Sequence, residues 1–272
     1  MTLVPTGSGR KLLLRTMGNG PRLIFAHGTG LACDGFGPFL MALSVQFEVI
    51  LCDLPGHGIN WDWPEIGLAE VGDVLAEVVT AVDPVAGIFH SMSGVLAIRA
   101  ALRQTFPLKA MIAYEPPLAR DGADAHMAMA DRQAMAARAL RRQRRFTDPS
   151  VLAHRWAKQG LGGPQAGLLA DSLLRRDGDD WVLRCSPKQE SRIFGENESF
   201  DIWSAARDID FPLAIMAGRR LDGKDYVARV APDLAAAGGY DFLQFEGLGH
   251  LGLIEAPDRC ATIALAWLQG VI

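Results

Sequence analysis

The sequence predicts an α/β protein whose mostly parallel central sheet is covered by helices on both faces. Short apolar runs alternate along the chain with longer segments of helical periodicity. These apolar runs are continuous rather than alternating with polar residues, which is typical of strands buried on both faces. With 272 residues, of which 49% are hydrophobic and 21% charged, the chain is large enough to bury an extensive core.

The strands and helices follow one another in a regular order. Strands are predicted, in chain order, at residues 12–15, 23–26, 48–52, 85–90, 109–114, 212–217 and 241–245. Helices are predicted at residues 36–44 and 68–82, in a segment ending near residue 102, and at residues 226–237 and 257–268. A strand that is repeatedly followed by a helix indicates crossover connections, which make successive strands parallel.

Turn residues separate several of these elements. Gly18-Asn19-Gly20-Pro21 ends the first strand, and Asp83-Pro84 separates the second helix from the strand that follows it. Glu115-Pro116-Pro117 closes the strand at residues 109–114. Proline and glycine at these places favour turns over continued helix or strand.

Residues 118–209 interrupt the alternation. They are rich in alanine, methionine and arginine, have mostly helical patterns, and lack a buried-strand pattern before residues 181–185. We interpret residues 1–117 and 210–272 as one core and residues 118–209 as a helical insertion into it.

Charge and cysteine content exclude several classes of protein. A net charge of −4 does not favour binding to nucleic acid or to an anionic membrane. The four cysteines lie far apart, without the spacing of a zinc site or a disulfide framework, which predicts reduced thiols. Residues 1–15 lack a signal-peptide pattern, and no apolar run approaches the ~20 residues of a membrane span. We therefore expect a cytoplasmic protein.

The strongest chemical signal is a serine between a strand and a helix. A serine hydroxyl acts as a nucleophile when a base takes its proton and a sharp strand–turn–helix connection exposes it. His90-Ser91-Met92-Ser93-Gly94 resembles the Gly-His-Ser-Met-Gly-Gly elbow of the α/β-hydrolase superfamily, although Phe89 and Ser93 replace two glycines of that pattern. Ser91 is favoured over Ser93, which has β-branched Val95 two residues later. The alternative is that Ser91 only caps a helix.

Two further segments resemble the same superfamily. His27-Gly28-Thr29-Gly30 is similar to its His-Gly loop, which implies that the backbone N–H groups of Thr29 and Met92 form an oxyanion hole. A nucleotide-binding Gly-x-Gly-x-x-Gly motif starting at Gly28 would need a glycine at Cys33, and is not favoured. Asp53-Leu54-Pro55-Gly56-His57-Gly58 is similar to a turn with a mostly structural role.

The resemblance also implies a base and an acid. Gly249-His250 and the residues up to Pro257 resemble the Gly-His-x-x-x-x-Glu-x-Pro segment, in which the histidine is the general base. The acid is expected after the strand at residues 212–217, where Asp222 lies one residue beyond the usual Gly-x-x-Asp spacing. Asp222 is the preferred acid, and Asp225 and Glu115 are its alternatives. The order Ser91, Asp222, His250 is that of the superfamily.

These similarities imply an α/β-hydrolase fold with a helical lid. They further imply hydrolysis of a carboxylic ester, lactone or related bond through a serine acyl-enzyme, without metal or organic cofactor, on a small-molecule substrate. The alternatives are a carbon–carbon hydrolase, a thioesterase, an acyltransferase or a cofactor-free lyase that uses the same three residues, or a non-catalytic protein that binds a small molecule. Both a monomer and a homodimer are compatible with the sequence.

An arginine cluster marks the insertion. Arg138, Arg141, Arg142 and Arg145 share one face if residues 131–146 are helical. Arg141 and Arg142 at its centre are candidate contacts for an anionic ester, a carboxylate or a phosphate-bearing thioester. The alternative is a solvated surface of the lid.

Overall fold

The fold combines an eight-stranded sheet that has helices on both faces with a separate three-stranded sheet. The computed structural model describes residues 1–103, 106–118, 123–197, 200–219 and 226–272. The strands are β1 (Thr2–Pro5), β2 (Lys11–Met17), β3 (Arg22–Ala26), β4 (Glu48–Cys52), β5 (Ala86–His90), β6 (Ala110–Tyr114), β7 (Arg145–Phe146), β8 (Leu174–Asp177), β9 (Asp180–Leu183), β10 (Leu213–Arg219) and β11 (Asp241–Glu246). The helices are α1 (Gly37–Leu43), α2 (Leu68–Val82), α3 (Met92–Leu102), α4 (Ala123–Leu140), α5 (Ser150–Lys158), α6 (Gly163–Leu173), α7 (Pro187–Gly195), α8 (Phe200–Ala205), α9 (Tyr226–Gly238), α10 (Gly252–Glu255) and α11 (Pro257–Val271).

The central sheet has the strand order β1-β2-β4-β3-β5-β6-β10-β11. The pairs from β4 to β11 are parallel, and β1 and β2 are antiparallel to their neighbours. This confirms the predicted mostly parallel sheet. The edge strand β1 was not predicted from the sequence, because its four residues include a proline and have no turn signal before them.

Helices bury both faces of the sheet. In β3, Leu23 and Phe25 join one hydrophobic cluster, and Ile24 and Ala26 join the other, because successive side chains of a strand point to opposite faces. Helices α2, α3 and α9 cover the face of Ile24 and Ala26, and α1 and α11 cover the face of Leu23 and Phe25. Continuous apolar strands are the result of this two-sided burial. None of the helices within the described ranges is both long and apolar enough to cross a membrane.

The segment between β6 and β10 is not as purely helical as the sequence indicated. It contains helices α4 to α8, but β7, β9 and β8 form a separate three-stranded antiparallel sheet. Strands β8 and β9 pair at Asp177 and Asp180, so Gly178 and Asp179 are the two turn residues, and Gly178 has a φ of 65°. A Gly-Asp pair between two short strands is a hairpin signal, and the charged residues of β8 obscured it.

Candidate active site

Ser91 lies at the elbow between β5 and α3. Its φ of 56° and ψ of −121° are unfavourable for a residue with a side chain, and such strain is typical of functional positions. The geometry is held on both sides, since the Ser91 N–H donates to the Tyr114 carbonyl at 2.8 Å and the Ser91 carbonyl accepts from Gly94 N–H at 2.9 Å. Gly28 is needed beside it, because a Cβ at residue 28 would lie 2.7 Å from the Ser91 Cβ.

The two residues that depart from the elbow pattern have defined surroundings. Phe89 is fully buried and its ring packs against Phe106 with centroids 5.7 Å apart. Gly87 makes room for it, since a Cβ at residue 87 would lie 2.3 Å from that ring. Ser93 is also fully buried, and its hydroxyl oxygen lies within hydrogen-bond distance of the carbonyls of Ala26, at 2.7 Å, and His90, at 2.9 Å. Ser93 therefore serves the packing of the elbow, and Ser91 is the serine that reaches the site.

The side chain of His250 connects Ser91 to a buried carboxylate. The His250 Nε2 is 3.0 Å from the Ser91 Oγ, and the His250 Nδ1 is 2.7 Å from the Glu115 Oε2. Glu115 has no exposed surface, and its second oxygen accepts the Gly218 N–H at 2.8 Å. The strands β5, β6 and β11 bring these residues together, because each residue follows the carboxyl end of one of them.

The preference for Asp222 as the acid is therefore corrected. The ring nitrogen of His250 that the acid was expected to contact lies against Glu115, the third of the three candidates. Asp222 and Asp225 both lie outside the described residues. The Gly-x-x-Asp spacing points to the end of β10, whereas the carboxylate that contacts His250 follows β6, the adjacent parallel strand.

Three contacts hold the loop that carries His250. The Tyr114 hydroxyl donates to the Gly249 carbonyl at 2.9 Å, and the Gly249 N–H donates to Glu255 at 3.0 Å. The His90 Nε2 donates to the His250 carbonyl at 2.8 Å. His90 is buried, and burial lowers its pKa well below the usual histidine range, which keeps the ring neutral.

The candidate oxyanion donors lie on the same side of Ser91. Thr29 and Met92 line one cavity together with Ser91 and His250, and within the described ranges neither backbone N–H has an acceptor. An oxyanion hole requires two N–H groups that are free to donate to the same oxygen. The structure thus places Ser91, His250, Thr29 and Met92 around one cavity.

His57 supports the loop that contains Thr29 and Gly30, which the sequence did not reveal. Its Nδ1 donates to the Pro55 carbonyl at 2.9 Å, so its Nε2 accepts the Gly30 N–H at 3.0 Å. Burial lowers the pKa of His57 to about 3, so the ring stays neutral and keeps its acceptor. His57 is thereby a positioning residue for the Thr29–Gly30 loop.

His27, Cys33 and Asp53 are the described residues whose atoms lie close enough together to hold a metal ion. Their atoms are already engaged within the protein. The Asp53 carboxylate accepts the Cys33 N–H at 2.7 Å and the Ile59 N–H at 3.1 Å, and His27 contacts the Gly28 carbonyl at 2.8 Å. The cluster joins the loops after β3 and β4, and its donor set fits this structural role.

The buried histidines predict that stability falls in acid. Both His57 and His90 have lowered pKa values in the folded chain, whereas an unfolded histidine titrates near pH ~6.5. Below that pH the unfolded chain binds protons that the folded chain does not. Each histidine should therefore remove up to about 1.4 kcal/mol of unfolding free energy per pH unit, for His57 until pH about 3.

Urea unfolding between pH 7.5 and 5 measures this slope. In the His57→Gln variant, the amide oxygen can accept the Gly30 N–H without titrating. The slope of the unfolding free energy against pH should therefore decrease by up to about 1.4 kcal/mol per pH unit, the contribution of one histidine. A slope equal to that of the unchanged chain would show that His57 is protonated in the folded state as well.

A cavity of about 1010 Å³ opens above Ser91. Its walls come from the loops of the core and from α4, α5 and α7, and both Arg141 and Arg142 line it. Arg142 is half-buried and forms an ion pair with Glu190, with Nη1 2.7 Å from Oε2.

The predicted helix at residues 131–146 is too long, so of the four arginines Arg138 alone lies on α4, although Arg141 and Arg142 also line the cavity. Helix α4 ends at Leu140, and Arg145 begins β7 instead of continuing a helix. Its guanidinium pairs with Asp177 at 2.5 Å and Asp180 at 3.1 Å, on the small sheet rather than on the cavity wall.

Known proteins resemble this chain in both sequence and structure. It is 34% identical over 112 residues to a pimeloyl-[acyl-carrier protein] methyl ester esterase of Chromobacterium violaceum, which is 40% of this chain and 43% of that protein. It is 37% identical over 106 residues to the esterase of the same name from Xanthomonas oryzae pv. oryzae, which is 38% of this chain and 41% of that protein. The chain thus matches about two fifths of the length of these curated relatives.

Solved structures match over nearly the whole chain. The E-2-(acetamidomethylene)succinate hydrolase has a TM-score of 0.81 at 19% identity, with 98% of both chains covered. A thermophilic esterase from Thermogutta terrifontis has a TM-score of 0.76 at 18% identity, with 99% of this chain and 98% of that chain covered. At such identities the likeness concerns the fold. The model of the alpha/beta hydrolase family matches residues 23–263, so the chain belongs to this family.

Proposed function

We propose that the protein hydrolyses carboxylic esters, with Ser91 as nucleophile, His250 as general base and Glu115 as the acid that orients His250. The observation that carries this proposal is the contact chain from Ser91 Oγ through His250 to Glu115, with distances of 3.0 and 2.7 Å, in the wall of a large cavity. A serine, a neutral imidazole and a buried carboxylate in this order form the arrangement that activates a hydroxyl for acyl transfer.

In the proposed reaction, the Ser91 Oγ forms a bond to the ester carbonyl carbon while its proton moves to the His250 Nε2. Glu115 accepts a hydrogen bond from the Nδ1–H group and stabilises the positive charge that develops on the ring. The Thr29 and Met92 N–H groups donate to the oxyanion. The carbon–oxygen bond to the alcohol then breaks, and the alcohol leaves with the proton of His250. Water repeats the sequence on the acyl-enzyme and releases the acid.

The relatives support an ester as the bond that is cleaved. Both matched esterases act on methyl esters by name, and the match includes enough sequence to make an ester the first candidate.

We also propose that residues 118–209 act as the lid of the site, since α4, α5 and α7 contribute residues to the cavity wall. The cytoplasmic location, the small-molecule substrate and the independence from a cofactor stay predictions.

A panel of methyl and p-nitrophenyl esters with acyl chains of increasing length tests the proposal. We expect turnover without added metal, and an initial burst of p-nitrophenol equal to the enzyme concentration if deacylation is slow. Lactones and thioesters belong in the same panel. The proposal of ester hydrolysis is wrong if a folded preparation cleaves none of the esters while another bond class is cleaved.

A further inference from the structure

We propose that the substrate is an ester whose acyl part carries a second, anionic group, and that Arg138 and Arg141 bind this group at the cavity mouth. This inference rests on the proposed function and names its substrate class. It is drawn from the charges around the cavity, the ion pairs that neutralise some of them, and the hydrogen-bond donors that remain.

The cavity wall has more positive than negative side chains. The charged residues that line it are Arg132, Arg138, Arg141, Arg142, Arg155, Asp131, Glu190 and Glu255. Two of the three acids are engaged, because Glu190 pairs with Arg142 and Glu255 accepts the Gly249 N–H. A cavity with one predominant sign of charge raises the local concentration of ligands of the opposite sign.

Arg142 is part of the fixed wall. A Cβ at Gly30 would lie 2.8 Å from the Glu190 Oε1 and 3.3 Å from the Arg142 Nη1, so this ion pair packs against the Thr29–Gly30 loop. Both Glu190 oxygens contact the Arg142 Nη1, at 2.9 and 2.7 Å. The charge of Arg142 is thereby balanced beside the reacting carbonyl, and the pair braces Gly30.

Arg138 and Arg141 differ from Arg142 in exposure and in ion pairing. Both are exposed, and neither has an ion-pair partner within the described part of the chain. Arg138 lies in the last turn of α4, and Arg141 directly follows the end of that helix. Both residues line the same cavity, and two guanidinium groups only three residues apart can bind a carboxylate or phosphate together. The anionic group of the substrate therefore belongs at the mouth, and its ester group belongs at Ser91.

Two neutral hydrogen-bond donors in the cavity wall also favour a ligand with oxygen acceptors. The Thr29 hydroxyl and the Trp156 indole N–H are buried in this wall, without a hydrogen-bond partner among the described residues. A buried donor without an acceptor is costly, and a ligand rich in acceptor oxygens would satisfy it. The cavity volume of about 1010 Å³ leaves room for a chain between the two ends of the ligand.

Monomethyl esters of dicarboxylic acids with four to eight carbons, each compared with the methyl alkanoate of equal length, test the inference. We expect kcat/KM to be higher for the anionic ester of at least one pair. In the double variant Arg138→Gln with Arg141→Gln, the ratio of the two kcat/KM values should decrease by about 10- to 100-fold, mainly through KM of the anionic ester. Raising the salt to ~1 M, where the screening length is roughly 3 Å, should also lower the ratio.

A matched control removes two exposed arginines that do not line the cavity. Arg103→Gln with Arg144→Gln changes the net charge equally and should leave the ratio unchanged. If the chain cleaves neutral esters and prefers no anionic ester, or if the two double variants behave alike, the inference is wrong and the proposed function stands.

If neither ester of any pair is cleaved, the proposed function fails instead, and calorimetric titration with adipate decides the inference. Binding that is lost in Arg138→Gln with Arg141→Gln supports it. Absent binding, or equal binding by the unchanged chain and this variant, overturns it.

Discussion

The Ser91→Ala variant is expected to lose kcat for ester hydrolysis by about 10⁴- to 10⁶-fold, because the remaining groups have no nucleophile to activate. Its melting temperature should change little, since the side chain contributes one hydrogen bond to His250 and the backbone contacts of the elbow remain. Steady-state kinetics and a thermal unfolding curve on the same preparation measure both quantities.

Ser93→Ala is the matched control, two residues away on the same elbow. Its hydroxyl lies between two buried carbonyls and can donate to either, so the change should lower the unfolding free energy by about 1–3 kcal/mol and leave most of kcat. A folded Ser93→Ala variant without activity, beside an active Ser91→Ala variant, would reverse the assignment of the nucleophile.

The Glu115→Gln variant is expected to lower kcat by about 10⁴-fold, the effect of an acid-to-amide change in a serine triad. The amide keeps the size of the side chain and can still accept the Gly218 N–H. It then faces the His250 Nδ1 with its NH₂ group, which disfavours the tautomer whose Nε2 accepts the proton of Ser91. A rate profile against pH should show that the loss persists at every pH at which the protein is folded.

Asp222→Asn and Asp225→Asn are the controls for this change. Both replace acids that the sequence offered for the same position, and each should lower kcat by less than about tenfold, because Glu115 contacts His250. A nearly inactive Asp222→Asn variant, together with an active Glu115→Gln variant, would restore the acid that the sequence favoured.

The core of the fold was predictable because two-sided burial leaves a clear pattern. The predicted strand at residues 48–52 and helix at residues 68–82 coincide with β4 and α2, both of which have apolar residues wherever they face the core. The insertion was less predictable. Strand β7 has two residues and β8 is mostly charged, so neither has a hydrophobic period that a sequence pattern could detect.

The residues of the site were predictable where the local sequence after a single strand is enough to identify them. Ser91 and His250 are such residues, since each lies in the connection between a strand and the helix that follows it. Glu115 could not be ranked above Asp222 from the sequence, because β6 and β10 are neighbours whose order in the sheet is a property of the tertiary structure. The same holds for Glu190, whose pairing with Arg142 joins residues that are 48 positions apart.

Labelling with a fluorophosphonate, followed by peptide mapping with mass spectrometry, tests the central claim most directly. The probe reacts with a serine that a neighbouring histidine activates. We predict a single phosphonylated residue, Ser91, with labelling that parallels the loss of esterase activity and is abolished by His250→Ala. Labelling of Ser93 or of any other serine, or full esterase activity in a preparation that the probe does not label, would contradict the proposed site.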